Sequence, residues 1–466
     1  MERDVLNYPK FTGELKGSLH PHDFISNIHI FCLASHVPTD AYVTTLPLFL
    51  ASDSIAMNWY DEEIKGKVTV WEELVKKFKQ RFPPQLSSFQ ELYQVAWKRR
   101  DRNALFQDVE PGQKYKSLKV LFPLTEDAQE HILVTSEYRE ALSDAKRWFV
   151  GQTPSKTKFT EEDSYWRPPV SESEGVGEDQ QMDIDIPDID DTEWSNPICP
   201  YSTFIVCGMP GIGKTLFLYY VLVERLLRNL PTCLQTEPHR FIYWCAEGVS
   251  EIHLDRFRWT LPKDVWFLVD SNQDIICPHS DILASGARII QAASPRRARL
   301  RWTEKQSAYT YKWFMKPSPL RELLMMRRYW PSPPTEKEVT TFVRDYGSST
   351  RLIILYAARP DEYRLDLQSR IDRLTFDQLE KRVFEIRGLD VADNSVAHWI
   401  FGIYPGVQRD RITVNYSTSE VFGLLKAAFS ENWESYARDI YRLFKSYRPM
   451  QGGAGYPAST ITECSS

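Results

Sequence analysis

The sequence predicts a multidomain chain: a helical N-terminal domain, an α/β domain on a parallel sheet, and a helical C-terminal extension. Three observations carry this. Residues 1–104 place apolar side chains at helical spacing. Beyond residue 200, apolar runs of strand length alternate with helical stretches, the pattern of a parallel sheet covered by helices. Between them, 151–199 is rich in Pro, Ser, Asp and Glu and too poor in apolar residues to offset the entropy of ordering, which predicts a disordered acidic linker.

The chain has 466 residues, 42% of them apolar and 26% charged, the balance of an ordinary globular protein of roughly three domains. Net charge is −6, but residues 171–193 hold ten acids and no Lys or Arg, so the remainder carries +4. That argues against a dedicated polycation or nucleic-acid coat and leaves nucleic acid a weakly supported partner. The acidic run is a solvated tether or a docking site for a basic protein partner. Seven scattered cysteines, several inside apolar runs, read as reduced thiols. No apolar run approaches the ~18 residues of a membrane span, and MERDVLNYPKF lacks a signal peptide's apolar stretch. The expectation is an intracellular protein, cytoplasmic or nuclear, with no membrane partner.

Within 1–104, PHDFISNIHIFCLASH sets Phe24, Ile25, Ile28, Phe31 and Cys32 on one helical face. TTLPLFLASDSIAMNWYDEE reads as a second buried helix. VTVWEELVKKFKQRF reads as a third, with Val70, Leu74, Val75 and Phe78 opposite its lysines, ended by Pro83 and Pro84. Zinc-ligand spacings are absent, so His20, His22 and His29 read as ordinary histidines. Residues 105–150 read as a helical connector. The α/β core, 200–360, has strands expected at 203–207, 240–245, 265–270, 287–293 and 351–357, with an amphipathic helix after the first. Residues 361–449 form a mostly helical subdomain, and 450–466 a disordered tail.

The strongest signal is GMPGIGKT at 208–215, between an apolar strand and a helix, which fits GxxxxGK[ST] in full. Glycines let backbone N–H groups face phosphate oxygens, and the following helix adds the partial positive charge of its N-terminus. Lys214 is expected to reach the β- and γ-phosphates, and Thr215 to offer its hydroxyl to Mg²⁺. Such a P-loop needs a carboxylate at a neighbouring strand end. VWFLVDSNQD supplies Asp270 there, expected to hold Mg²⁺ with Thr215. Ser271 follows where many such ATPases have a water-orienting Glu, leaving Asp274 and Glu247 as candidates for that role. Ser294, after the 287–293 strand, is a candidate sensor of the γ-phosphate. Arg296 and Arg297 either stabilise charge on the transferring phosphoryl group, or contact nucleic acid with Arg299 and Arg301, or lie in a solvated loop. Arg351 sits at a second sensor position or in a simple ion pair.

In order along the chain, FIVCGMPGIGKTLFLYYVLVERLL, VWFLVDSNQD, AASPRRARLRWTEK and NSVAHWIFGIY…RITVNYSTSEVFGLL resemble the ATPase of Crinkler and retrotransposon hot spot proteins over about 200–450. The resemblance implies an AAA- or STAND-like P-loop NTPase. It implies phosphate binding by Gly208, Gly211, Gly213, Lys214 and Thr215, magnesium on Asp270, and sensing by Ser294 with Arg296. Members often continue into a nuclease- or kinase-like domain; this sequence ends soon after its last expected helix, so toxin or nuclease activity is not expected. YPKFTG, PHDFISNI, LPLFLASDSIAMNWYDE and VWEELVKKFKQRFPP, within 8–100, are similar to the Gag capsid region of long-terminal-repeat retrotransposons. The matching features are Ala56, Trp59 and Tyr60 set against Trp71, Phe78 and Phe82. That implies a self-associating module without catalytic residues. No zinc knuckle, protease or polymerase accompanies it, so a replicating element's polyprotein is not expected.

Two functions follow as expectations. One is an ATP- and Mg²⁺-binding NTPase whose hydrolysis drives a conformational or assembly change. The other is a scaffold in which the Gag-like module oligomerises and the NTPase half only binds nucleotide.

Overall fold

The computed structural model describes residues 10–12, 24–25, 28–29, 31–32, 37–82, 86–110, 114–122, 129–160, 199–254, 261–262, 264–272, 274–295, 297–303, 309–379, 381 and 397–430. The acidic run, the expected tail, the last expected helix and Arg296 lie outside them. The chain divides into two compact units, residues 1–91 and 92–466.

In the first unit, the aromatic residues singled out by their spacing form the core. Phe11 stacks on Phe24 with centroids 4.6 Å apart, and Trp59 meets Phe78 and Phe82 edge-on at 5.8 and 5.3 Å. Ile25, Ile28, Cys32, Trp71 and Leu74 complete the cluster. The stretch 44–63, expected as one helix, is broken. A 3₁₀ turn at Leu46–Phe49 gives way to extended Leu50, and Asp53 takes φ 56°, a left-handed value that an α-helix cannot contain. A new helix, Ile55–Trp59, starts at Ser54, whose hydroxyl accepts from the Met57 N–H (3.2 Å). Trp71–Arg81 is helical as expected with Trp71, Leu74 and Phe78 inward, but Val70 is its exposed N-cap.

The second unit begins at Leu92, ahead of the expected boundary. The helical connector over 105–150 is corrected. Strands β1 (Phe106–Asp108), β2 (Lys116–Lys119) and β3 (His131–Val134) form an antiparallel sheet, and among the described residues there only Ser136–Phe149 and the end of a short turn are helical. The reason lies in the helix Lys214–Leu226. Expected to be amphipathic, it is buried without a break from Phe217 to Leu226, so it needs cover on every side. The preceding chain supplies it: the Tyr219 hydroxyl donates to the Lys119 carbonyl (3.1 Å) and accepts from the Leu121 N–H (3.0 Å), and Arg102 makes a two-pronged contact with buried Glu224 (2.7 and 3.0 Å).

The main sheet has seven strands: β4 (Thr203–Cys207), β5 (Thr232–Glu237), β6 (Arg240–Cys245), β7 (Gly248–His253), β8 (Trp266–Asp270), β9 (Arg288–Ala293) and β10 (Thr310–Phe314). They lie in the order β10-β4-β9-β8-β5-β6-β7; the first five are parallel, and β6 and β7 run antiparallel as an edge hairpin. Counting only the parallel strands in chain order, the sheet reads 5-1-4-3-2.

The strand expected at 351–357 is corrected: Thr350–Tyr356 is a helix. A short apolar run does not reveal its period; burial of Ile353 and Ala357, four apart, is helical. The fifth parallel strand is TYKWF, whose lysine and threonine hid it. The described residues of 361–449 are mostly helical as expected, in Pro360–Asp372 and Ser419–Ala428 among others, but β11 (Phe401–Pro405) and β12 (Ile412–Tyr416) add an antiparallel hairpin that was not expected. Residues 151–160, assigned to the linker, reach that hairpin, with the Thr157 N–H donating to the Val407 carbonyl (2.8 Å).

A buried charge cluster joins these parts. Arg409, fully buried, donates to both oxygens of Glu137 (2.9 Å each), to Glu140 (2.6 Å) and to the Phe314 carbonyl (3.1 Å). Arg409→Ala leaves buried Glu137 without its ion-pair partner and should cost about 3–5 kcal/mol in urea denaturation. Arg364→Ala, which removes an exposed partner of Glu420, should cost less than about 1 kcal/mol.

Candidate functional site

The loop 208–213 leaves the C-terminal end of β4 and enters the helix Lys214–Leu226. Its shape depends on glycine. Gly213 has φ 91°, and a Cβ there would lie 2.1 Å from the Tyr138 hydroxyl. Gly211 has φ 77°, and a Cβ would lie 2.6 Å from that of Arg351. Both close approaches are braces. The Tyr138 hydroxyl donates to the Gly213 carbonyl (2.9 Å), and the Arg351 N–H donates to the Gly211 carbonyl (3.3 Å). The Ser349 hydroxyl donates to the Pro210 carbonyl (3.3 Å).

Lys214 curls back into its own loop, its Nζ donating to the carbonyls of Gly208 (2.9 Å) and Met209 (2.6 Å). Burial pulls its ammonium down to about 7, and Arg351 and Arg299 push the same way. Opposite it, the Thr215 hydroxyl donates to Asp270 Oδ1 (3.0 Å). Burial raises the Asp270 carboxyl to about 6, against the opposing pull of Thr215, Lys214 and Arg299. A hydroxyl and a carboxylate oxygen at hydrogen-bond distance, beside a lysine on the same loop, are hard oxygen donors suited to Mg²⁺.

Register places Ser294. Cys207 at the end of β4 pairs with Ala293, and Asp270 at the end of β8 pairs with Ala292. Ser294 is the next residue, at the same sheet edge, between the loop strand and the acid strand. Its hydroxyl oxygen accepts from Arg299 Nη1 (2.6 Å), which also donates to the Ser271 carbonyl (3.1 Å). Arg299 is 8% exposed.

Of the other expected residues, Ser271 is buried in place of a catalytic Glu; its hydroxyl donates to the Ile275 carbonyl (3.0 Å) and accepts from Gln291 (2.6 Å). Asp274 is exposed in a turn, where Asn272 Oδ1 accepts from its N–H (2.9 Å). Glu247 is corrected. It follows β6, which runs antiparallel, so Trp244 pairs with Thr232 at the start of β5 and Glu247 lies at the sheet edge away from the loop. Its side chain bonds to Cys245 instead, which lowers its carboxyl. Arg351 reaches the loop from the first turn of a helix, not from ahead of a strand. Arg297 opens the short helix Arg297–Leu300, and Arg301 is exposed.

Spacing gave no warning of Tyr138, which lies 75 residues before the glycine it braces. The sequence favoured Arg296 and Arg297 over Arg299, whose contact with Ser294 depends on how the chain folds after β9. Among the described residues no group of three or more His, Cys, Asp or Glu gathers as a metal site, and no helix is long and apolar enough to cross a membrane. Compared with known protein families, with curated proteins and with solved structures, the chain matches none of them.

A raised carboxyl makes ionised Asp270 a cost to the fold. The protonated form is favoured, so its contribution is complete below about 3.8 and is lost as pH rises through about 6. Asp270→Asn, which keeps an oxygen for Thr215, should therefore stabilise the protein above pH 6 by about 1–2 kcal/mol and leave it unchanged near pH 4. Thermal unfolding of both forms across that range checks this.

Proposed function

We propose that the second unit is an ATP- and Mg²⁺-binding NTPase of the P-loop class, AAA- or STAND-like and related to the Crinkler and retrotransposon hot spot ATPases. The observation that carries it is the 3.0 Å contact between Thr215 and Asp270, two side chains 55 residues apart, beside Lys214. The order 5-1-4-3-2 supports the finer assignment, since AAA- and STAND-like sheets interpose one strand between the loop strand and the acid strand. Gly208, Gly211 and Gly213 would expose backbone N–H groups to the phosphates, and Lys214 would release its two carbonyls to meet them. Thr215 and Asp270 would hold Mg²⁺, which neutralises charge on the β- and γ-phosphates.

Ser271 favours a particular variant of this reading. Its hydroxyl serves the core, so the residue after Asp270 offers no base to an attacking water. Slow hydrolysis, with a long-lived ATP-bound state that switches how the chain packs or assembles, fits that arrangement better than rapid turnover. A Gag-like first unit that self-associates would give such a switch something to assemble.

Titration of the purified protein with Mg·ATP, alongside an assay of phosphate release, is the test. Lys214→Ala should weaken binding at least about tenfold, because a charge-assisted contact to phosphate is lost. Equal affinity of mutant and parent would overturn the assignment, and rapid turnover by the parent would overturn the switch.

A further inference from the structure

Resting on the nucleotide-binding reading, we propose that Arg299 is a positioning residue that makes Ser294 a donor to the γ-phosphate. The argument is one of hydrogen-bond inventory. A guanidinium has five N–H groups and no acceptor, so in its 2.6 Å contact with Ser294 the serine oxygen accepts. The serine's own hydrogen is then directed elsewhere, and among the described residues its hydroxyl makes no second bond. Ser294 stands one residue past the pairing of Ala293 with Cys207, at the edge where the loop 208–213 begins. A phosphate oxygen carried beyond Lys214 meets a hydroxyl with a free hydrogen and a fixed oxygen.

Arg299 is itself held. The Ser271 carbonyl takes the same Nη1 at 3.1 Å, and that residue is the neighbour of Asp270. The Ser271 N–H in turn donates to the Ala292 carbonyl (2.9 Å), two residues before Ser294. The guanidinium thus ties the residue after the magnesium-side carboxylate to the residue at the end of the interposed strand. Movement of either on loading the third phosphate is transmitted to the other through one buried group. Arg299 need not touch the nucleotide to act. Its effect runs through the serine, and it acts on the third phosphate rather than on the first two.

The test compares the affinities of Mg·ADP and Mg·AMP-PNP by titration calorimetry in the full chain. Ser294→Ala and Arg299→Gln should each leave ADP affinity within about twofold, and each should weaken AMP-PNP about tenfold, the worth of a hydrogen bond to a charged group. The double variant should be no worse than either single one, because both remove the same bond. Arg299→Lys keeps a cationic donor and should recover part of the AMP-PNP affinity, which a purely structural role in packing would not do. If Arg299→Gln unfolds, Ser294→Ala still decides the matter. Ser294→Ala with unaltered AMP-PNP affinity overturns the proposal while nucleotide binding stands. Fully additive losses in the double variant also overturn it, because the two residues then act separately. A parent protein that binds neither nucleotide overturns both this proposal and the reading beneath it.

Discussion

The helix after the glycine-rich loop has no face left for water, and the second unit is organised around that constraint. Ten consecutive residues, Phe217–Leu226, are buried, including Glu224 and Arg225. A helix in a two-layer α/β fold normally keeps a polar stripe exposed. Here the stripe is covered, so each polar group on it needs an internal partner. Glu224 takes Arg102 and Arg228; Arg225 donates to Thr232 and to the carbonyls of Pro231 and Asp264. The cover is the chain from Leu92 to Phe149. That is why Tyr138, on the last helix of the cover, lies against the loop itself.

The interposed strand has a comparable effect on the chemistry. With β9 between β4 and β8, the loop and the acid do not share a strand pair, and the gap between them is filled by whatever follows Ala293. A serine there gives a small polar group, which needs a second residue to fix its direction; a buried arginine five positions on supplies it. The same strand sends Gln291 inward, where it donates to the Ser271 hydroxyl and accepts from the Trp302 indole (3.2 Å). Ser271 is committed to the interior by that pair.

Local chemistry was legible in the sequence where neighbouring residues decide it. GMPGIGKT fixed the turn between strand and helix, and WFLVD fixed a buried strand with an acid at its end. In the first unit helical spacing marked Phe24, Leu74 and Phe78, and the Gag-like resemblance marked Trp59, Trp71 and Phe82, all of which lie in the core. Legibility failed where distant contacts decide. TCLQTE and TYKWF carry polar residues that mask a strand, yet the first pairs inside the sheet and the second along its edge. RLIILYA has the composition of a strand and becomes a helix, packed by Ile353 and Ala357. Glu247 was misplaced because the direction of β6 depends on its partner, and a β-hairpin that reverses the sheet's edge leaves no mark in composition.

Lys214 and Asp270 show what the site gives up to remain ready. Each is a charge held in a buried place, and burial works against both, lowering the lysine to about 7 and raising the carboxyl to about 6. Their mutual attraction offsets only part of this, even with Arg299 adding to the pull on the acid. Backbone carbonyls satisfy the lysine and a hydroxyl satisfies the acid, but neither neutralises a charge. A ligand that brings negative phosphate to Lys214 and a cation to Asp270 supplies both missing counter-charges at once. Either one alone would leave the other charge as it was, so the two should bind more tightly together than separately. On the proposed nucleotide-binding reading the strain sits in the unliganded form, and Mg²⁺ and polyphosphate would relieve it as a pair.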